Sequence, residues 1–343
     1  MDKDKKKTYF LFTLGCQMNV SDSQRIAQKL ENIGYKSAPE KAADLVIINA
    51  CSVRQTAVDR IWGKIKQWQA NQKTIYLTGC VLPNDQKKLE NKGVIFFNIK
   101  DLPQLIRKSQ IKEYLEIPPK MDSKIAYIPI MTGCDNFCTY CAVPFTRGRE
   151  ISRPLKDIIS DTKNALIKDY KEILLLGQNV NSYHTQGNLG FINLLQKIDE
   201  LPYDFKFNFL SSNPYDFSDE LIGTLSKLKK WPRELHLPLQ SGDDGILKKM
   251  NRRYTSDQFL KLVANLKSQI PNLKITTDII VGFPGETKEQ FNNTVKVCKK
   301  IGFEKAYISQ YSPRPGTTAE KLKDDVPRAE KQRRWKILDK LIN

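Results

Sequence analysis

Cys134, Cys138 and Cys141 fall within eight residues, in the run Gly133-Cys134-Asp135-Asn136-Phe137-Cys138-Thr139-Tyr140-Cys141. Thiolate triplets this compact suit an iron–sulfur cluster, whose irons are held by cysteine sulfur. A cubane [4Fe-4S] cluster has four irons, so three protein ligands leave one iron open to bind something that reacts. A purely structural metal site is usually closed by four protein ligands. The competing reading is a zinc knuckle, which needs a fourth Cys or His near Cys141; the nearest histidine is His184, beyond a strand–helix segment. A set of unrelated buried cysteines is the blander alternative, and such residues do not ordinarily cluster this tightly. Disulfides are not expected. The cysteine count is seven, which is odd, and the charged stretch from Met1 to Lys7 does not open a secretory signal.

Three further cysteines share a position relative to predicted strands. Strand patterns occur at 8–14, 44–49, 74–78 and 94–99, and Cys16, Cys51 and Cys80 each lie one or two residues beyond the end of one of them. Between the first two strands lies a helix pattern, expected to start at a Ser21-x-x-Gln24 capping box and to end at Gly34. A second helix pattern covers 56–70. This βαβ alternation predicts a parallel sheet covered by helices. In such sheets ligand sites form outside the carboxyl ends of the strands, so the topology can gather the three cysteines at one edge. Cys298, in a helical run over 290–301, is left over and is expected to be a small buried hydrophobe.

Residues 109–123, with Pro118-Pro119 and clustered charges, form the best linker. The predicted organisation is an N-terminal α/β domain over 1–117, a linker over 118–124 and a second domain over 125–343. Strand patterns in the second domain cover 126–131, 172–176, 206–210, 234–239, 274–281 and 305–310, with helix patterns between them. Two of those helices carry capping boxes, Thr255-x-x-Gln258 and Thr287-x-x-Gln290. Six strand–helix units predict a partial (β/α)6 barrel, whose reactive face is the C-terminal end of its strands. The Cys134 triplet follows the first of these strands.

A chain of 343 residues suits about two domains, and 40% hydrophobic content supports sizeable cores. No run approaches the roughly 20 apolar residues that span a bilayer, so the expectation is a cytoplasmic protein without a membrane partner. The formal net charge of +18 attracts polyanions, nucleic acid foremost. A lysine-rich surface serving solubility is the alternative.

The C-x3-C-x2-C run resembles the hallmark of the radical S-adenosylmethionine (SAM) enzymes. The chain is more narrowly similar to the methylthiotransferases among them, which carry three further cysteines in an N-terminal domain. The resemblance rests on Thr13-Leu14-Gly15-Cys16-Gln17-Met18-Asn19, Asn49-Ala50-Cys51-Ser52-Val53-Arg54, Thr78-Gly79-Cys80-Val81 and Pro144-Phe145-Thr146-Arg147-Gly148-Arg149-Glu150. It continues in Gly177-Gln178-Asn179-Val180-Asn181-Ser182-Tyr183, His236-Leu237-Pro238-Leu239-Gln240-Ser241-Gly242 and Val281-Gly282-Phe283-Pro284-Gly285-Glu286-Thr287.

The resemblance implies two [4Fe-4S] clusters, one on Cys134, Cys138 and Cys141 and one on Cys16, Cys51 and Cys80, with S-adenosyl-L-methionine as cosubstrate. The open iron of the first would chelate SAM and cleave it to a 5′-deoxyadenosyl radical; the second would carry or donate sulfur, methylated by a second SAM. The implied substrate is a tRNA bearing isopentenyladenosine beside its anticodon, methylthiolated at C2. A low-potential donor such as a flavodoxin or ferredoxin would supply electrons. The nearest rivals are threonylcarbamoyladenosine in tRNA and a ribosomal-protein aspartate; a rival of another class is a noncatalytic zinc-containing RNA-binding protein.

Gln178 and Asn179, Ser211, Gln240 and Asp278 fall at or near strand ends where the resemblance implies a SAM pocket, and Tyr140 could set its ring or backbone near adenine. Turn chemistry and packing are the alternative for each, and the better reading for Gly282, Pro284 and Gly285. Guanidinium groups suit phosphate, so Arg147, Arg149, Arg153, Arg252 and Arg253 are RNA-backbone candidates, with a solvated face or internal ion pairs as the alternative. Members of the family usually end in a small β-barrel RNA-binding domain, the TRAM domain; no strand-rich pattern follows the helical run 328–341, so the expectation is either a protein without that domain or a truncated chain.

Overall fold

A computed structural model describes residues 7–51, 55–101, 124–185, 187 and 189–343. The expected linker over 118–124 lies outside the described residues except for its last position, as do Ser52, Val53 and Arg54.

The N-terminal unit is a five-stranded, wholly parallel sheet in the order β2-β1-β3-β4-β5. Its strands are β1 (Thr8–Thr13), β2 (Lys36–Ser37), β3 (Leu45–Cys51), β4 (Thr74–Cys80) and β5 (Ile95–Phe96), and its helices are α1 (Gln17–Asn32), α2 (Gln55–Ala70) and α3 (Pro83–Glu90). Side chains alternate across β3 because strand periodicity is two. Ile47 joins Tyr9, Ile26 and Leu30 under α1. Val46, Ile48 and Ala50 join Ile61, Ile65 and Trp68 under α2. Helices of this length are marginal alone in water, so two-sided burial holds them. The 2-1-3-4-5 order makes a switch point between β1 and β3, where the chain leaves in opposite directions and a crevice opens beyond the strand ends.

Two expectations for this unit fail in informative ways. The Ser21 capping box does not start α1. The helix begins five residues earlier, with Cys16 at its N-cap, and Ser21 lies buried within it. The signal misleads because α1 is covered on both sides: it packs on its own sheet and against the first strand of the second unit, so polar residues are buried there. The helix does end as expected. Gly34, at φ +93, donates to the Glu31 carbonyl and Tyr35 to the Leu30 carbonyl, both at 3.0 Å, a Schellman arrangement. The strand expected at 94–99 stops at Phe96, because Phe97 and Ile99 turn inward onto the α1 side of the core.

The second unit runs β6 (Ile125–Pro129), β7 (Met131–Thr132), α4 (Val143–Arg147), β8 (Ile151–Ser152), α5 (Leu155–Ile167), β9 (Glu172–Leu176), β10 (His184–Thr185), β11 (Leu189–Gly190) and α6 (Phe191–Asp199). It continues through β12 (Lys206–Phe209), α7 (Asp219–Lys227), β13 (Glu234–His236), α8 (Asp244–Lys249), α9 (Ser256–Gln269), β14 (Lys274–Val281), α10 (Lys288–Ile301), β15 (Lys305–Gln310) and α11 (Arg328–Ile342). The six principal strands are parallel but form two ladders, β12-β9-β6 and β13-β14-β15. Among the described residues no ladder joins β12 to β13, whereas one apolar core spans both sheets and their helices. Both expected capping boxes are present, at Thr255 with Gln258 and Thr287 with Gln290. β6 ends at Pro129 and β13 two residues before Pro238; proline has no N–H to continue a ladder. Cys298 is buried in α10.

Polar contacts buried between the units fasten one to the other. Arg314 donates to Asp85 at 3.2 Å and Arg147 to Asp22 at 2.8 Å.

Candidate active site

The Cys134 loop is shaped by glycine at its start. Gly133 sits at φ +81, and a Cβ there would lie 2.0 Å from the Arg149 carbonyl oxygen. That closeness lets Cys134 donate its N–H to the Gly148 carbonyl at 3.2 Å. At the other end, Cys141 donates to the Cys138 carbonyl at 2.9 Å, a turn that sets the last two thiols side by side. Thr139 fixes the middle, through its hydroxyl to the Lys249 carbonyl at 2.8 Å and its N–H to the Met250 carbonyl at 3.1 Å.

Burial pushes the Cys141 thiol up to about 12 and the Cys134 thiol upward as well, each raised further by its cysteine neighbours. Without metal these two are therefore protonated at neutral pH, and a metal must displace the protons to bind.

The second set of cysteines gathers at the switch point. Cys51 and Cys80 end their strands and are direct register partners across β3 and β4. Cys16 follows β1 by three residues and occupies the N-cap position of α1. Gly79, at φ +99, brings its backbone so near Ala50 that a Cβ would lie 2.4 Å from that carbonyl oxygen. Beneath them a fully buried amide pair bolts α1 to β3. Asn19 donates to Asn49 Oδ1 at 3.0 Å and to the Ala50 carbonyl at 2.9 Å, and Asn49 donates to the Asn19 carbonyl at 2.7 Å and to Ser23 at 2.9 Å. Burial raises the Cys80 thiol, against the pull of Arg147.

All seven cysteines are free thiols. Among the described residues no three Cys, His, Asp or Glu groups close onto a single ion. A tetrahedral zinc, with Zn–S of about 2.3 Å, requires sulfurs about 3.8 Å apart. A multi-iron cluster is wider than a single ion, and each triplet offers it three free thiols.

Polar atoms with no partner lie on the strand-end loops that touch the first cysteine loop. The side-chain oxygens of Gln178 and Asn179 and the hydroxyl of Ser212 are buried without a hydrogen bond. Such atoms are costly and call for a ligand or a functional explanation. They lie just past β9 and β12, on loops held by an amide network. Asn179 donates to Asp216 at 2.8 Å, Asn181 to the Asn213 carbonyl at 2.9 Å, and Asn213 to Asn136 of the cysteine loop at 3.3 Å. Ser211 and Gln240 both adopt left-handed backbone, at φ +68 and +65. Strain of this kind costs of order 1–3 kcal/mol and gathers at functional sites. Gln240 and Asp278 sit on the other sheet, joined by the Gln240 N–H to the Asp278 carbonyl at 2.8 Å. The Asp278 carboxylate meets His236 Nε2 at 3.1 Å. The Tyr140 ring packs against Ile246, Met250, Phe283 and Tyr311, and its hydroxyl, pushed up by burial, lies within the influence of Arg252, Cys138 and Cys141. The unpartnered oxygens of Gln178, Asn179 and Ser212 are free to take hydrogen bonds from a polar ligand.

The arginines divide sharply, and three of them correct the RNA-backbone expectation. Arg147 is buried; it donates through Nε to Cys80 Sγ at 3.0 Å and through Nη2 to Asp22. Both side chains of that pair are at most 4% exposed, and breaking such a pair from one side costs about 3–5 kcal/mol. Arg153 is buried against the Pro129 carbonyl and Asp161. Arg252 donates to Cys138 Sγ at 3.3 Å, to Asn213 Oδ1 at 3.1 Å and to the Tyr254 hydroxyl at 3.1 Å. Tyr254 in turn donates to the carbonyls of Pro238 and Leu239, so Arg252 links Cys138 to the ends of both sheets. Arg149 and Arg253 are exposed, over the rings of Phe137 and Tyr215; Arg149 also meets its ion-pair alternative, donating to both carboxylate oxygens of Asp135 at 2.7 and 3.0 Å. Sequence reasoning missed Ser212, Asn213, Asn136 and Asp216. The polar run Ser211-Ser212-Asn213 directly after a strand was the available signal.

The chain matches the Radical SAM superfamily over residues 128–298 and the Uncharacterized protein family UPF0004 over 8–97. It is 40% identical to the tRNA-2-methylthio-N(6)-dimethylallyladenosine synthase of Thermoanaerobacter sp. (strain X514), covering 100% of this chain and 79% of that one. It is 38% identical to the enzyme of the same name from Clostridium tetani (strain Massachusetts / E88), over 100% of this chain and 82% of that one. Among solved structures, the cobalamin-dependent S-adenosylmethionine radical enzyme OxsB superposes with a TM-score of 0.63 at 12% identity, over 92% of this chain and 54% of that one. That likeness is one of fold.

Proposed function

The chain belongs to the radical SAM tRNA methylthiotransferases, and from that premise we propose that it methylthiolates C2 of N6-isopentenyladenosine beside the anticodon of tRNA. The observation that carries the proposal is the meeting of two incomplete thiol triplets in one chain, with Arg147, six residues beyond Cys141, donating to Cys80 of the other. The C2–H bond of adenine is neither acidic nor electrophilic, so side-chain acids and bases cannot open it. When bound, the two [4Fe-4S] clusters and SAM supply the radical and the sulfur.

The chain's own residues bind, orient and exclude water. Cys134, Cys138 and Cys141 hold the first cluster, and Cys16, Cys51 and Cys80 the second. Gln178, Asn179 and Ser212 offer their unpartnered oxygens to SAM, with Ser211, Gln240 and Asp278 at the neighbouring strand ends. Asn136 and Asn213 tie that pocket to the cysteine loop, so that ligand and cluster keep a fixed relation. Arg149 and Arg253, each beside an exposed aromatic ring, serve the RNA backbone, and the +18 charge adds attraction that salt will weaken. A low-potential donor such as a flavodoxin or ferredoxin delivers the electrons. No helix of the described residues is long and apolar enough to cross a membrane, and a tRNA substrate assigns the reaction to the cytoplasm.

Mass spectrometry of tRNA nucleosides from a host lacking the methylthio modification tests the proposal. Expression of this chain should convert isopentenyladenosine to its 2-methylthio form. Methylthiolation of threonylcarbamoyladenosine, or of a ribosomal-protein aspartate, with isopentenyladenosine untouched, would contradict it.

A further inference from the structure

Arg147 reaches from one unit into the metal site of the other. It ends α4, the short helix that follows Cys141, and the next residue, Gly148, accepts the N–H of Cys134. The turn that closes the first cysteine loop therefore also aims the arginine. Its guanidinium is buried in the seam and spends two donors on the N-terminal unit: Nε on Cys80 Sγ at 3.0 Å and Nη2 on Asp22 Oδ2 at 2.8 Å. The ion pair alone would fasten the units. The bond to sulfur is additional, and it falls on one of the three thiols that the proposed function assigns to the second cluster.

We propose that Arg147 is a positioning residue for the second cluster: anchored by Asp22, it holds the Cys80 sulfur and sets the reduction potential of the cluster bound there, so that this site is complete only when the radical domain is docked. The inference rests on the reading that Cys16, Cys51 and Cys80 hold a cluster. Hydrogen bonds and positive charge at ligand sulfurs stabilise the reduced, more negative state of an iron–sulfur cluster and raise its potential. Arginine suits the task because its planar fork can serve a sulfur and a carboxylate at once, whereas lysine is a point charge. Asp22 keeps the fork oriented, and Oδ1 of the same carboxylate is buried without a partner, so the aspartate is held where it is by the arginine it pairs with.

The test is an EPR-monitored redox titration of the full chain reconstituted with iron and sulfide, alongside its iron content. In Arg147→Met the midpoint of the second cluster should move to more negative potential while that of the Cys134 cluster stays put; Arg147→Lys should move it less. Because Arg147→Met strands a buried carboxylate, Asp22→Asn/Arg147→Met is measured in parallel and should still shift in the negative direction, by less, since the lost bond to sulfur remains while the neighbouring negative charge is gone. Selective loss of about four irons in Arg147→Met, restored by Arg147→Lys, also supports the positioning role. Unchanged potentials in a fully loaded double variant overturn it, as does a shift of both clusters together, which would mark a general packing role. The unsubstituted chain separates this inference from its premise: about eight irons there with no shift in the variants sinks only Arg147's role, whereas about four irons sinks the two-cluster reading and the inference with it.

Discussion

Ser212, Asn179 and Gln178 carry oxygen atoms that folding has buried and left unpaired, which an ordinary core would not tolerate. Their cost makes sense if a ligand completes them, and the two roles can be separated. Ser212→Ala removes a stranded hydroxyl, so the ligand-free chain should melt no earlier than the unsubstituted one. SAM binding to the loaded chain should weaken, by roughly tenfold or about 1.4 kcal/mol for one lost hydrogen bond. Equilibrium dialysis and thermal melting together check it; unchanged affinity with reduced stability would make Ser212 a packing residue. The cysteines were legible at this scale because thiols close in sequence, or repeated at strand ends, have few other uses. The arginines were not. A guanidinium suits phosphate, carboxylate and thiolate alike, and only burial decides among them: Arg147 and Arg252 turned out to serve sulfur, while Arg149 and Arg253 remain at the surface.

At the scale of elements, four strands of the second unit were readable to within a residue, because they carry their apolar side chains against helices, whereas the expected 126–131 and 234–239 stop at Pro129 and His236. The errors came where a side chain served the fold in two directions. Ser21 has the look of a cap and is a buried residue in a helix packed on both faces. The amide pair Asn19–Asn49, which bolts the Cys16 turn to the end of β3, had no signature beyond polarity. The most exacting local demand is at Gly133. A methyl group there would meet the Arg149 carbonyl at 2.0 Å, in a left-handed backbone that itself costs a non-glycine residue of order 1–3 kcal/mol. Gly133→Ala should therefore open the Cys134 loop locally. The variant should lose iron from the Cys134 cluster and the SAM cleavage that depends on it, while far-UV circular dichroism and the Cys16 cluster are retained. Full iron content in Gly133→Ala would show that the loop has room the geometry denies.

The whole molecule is two α/β units pressed together at the faces where their cysteines emerge. Two general rules already pointed there: ligands sit at the switch point of an open parallel sheet, and at the C-terminal ends of barrel strands. What the chain's pattern did not reveal is the seam, since Arg147 with Asp22 and Arg314 with Asp85 are separated by 125 and 229 residues. Long-range pairs of this kind leave no periodicity to read. The break between β12 and β13 was equally hidden, because strand patterns report burial and not which neighbours share a ladder. The central claim is that this assembly holds two clusters, each on three thiols, and iron and acid-labile sulfide counts after anaerobic reconstitution test it most directly. The unsubstituted chain should bind about eight irons; Cys16→Ala/Cys51→Ala/Cys80→Ala and Cys134→Ala/Cys138→Ala/Cys141→Ala should each retain about four. About four irons in the unsubstituted chain, unaffected by removal of Cys16, Cys51 and Cys80, would contradict it.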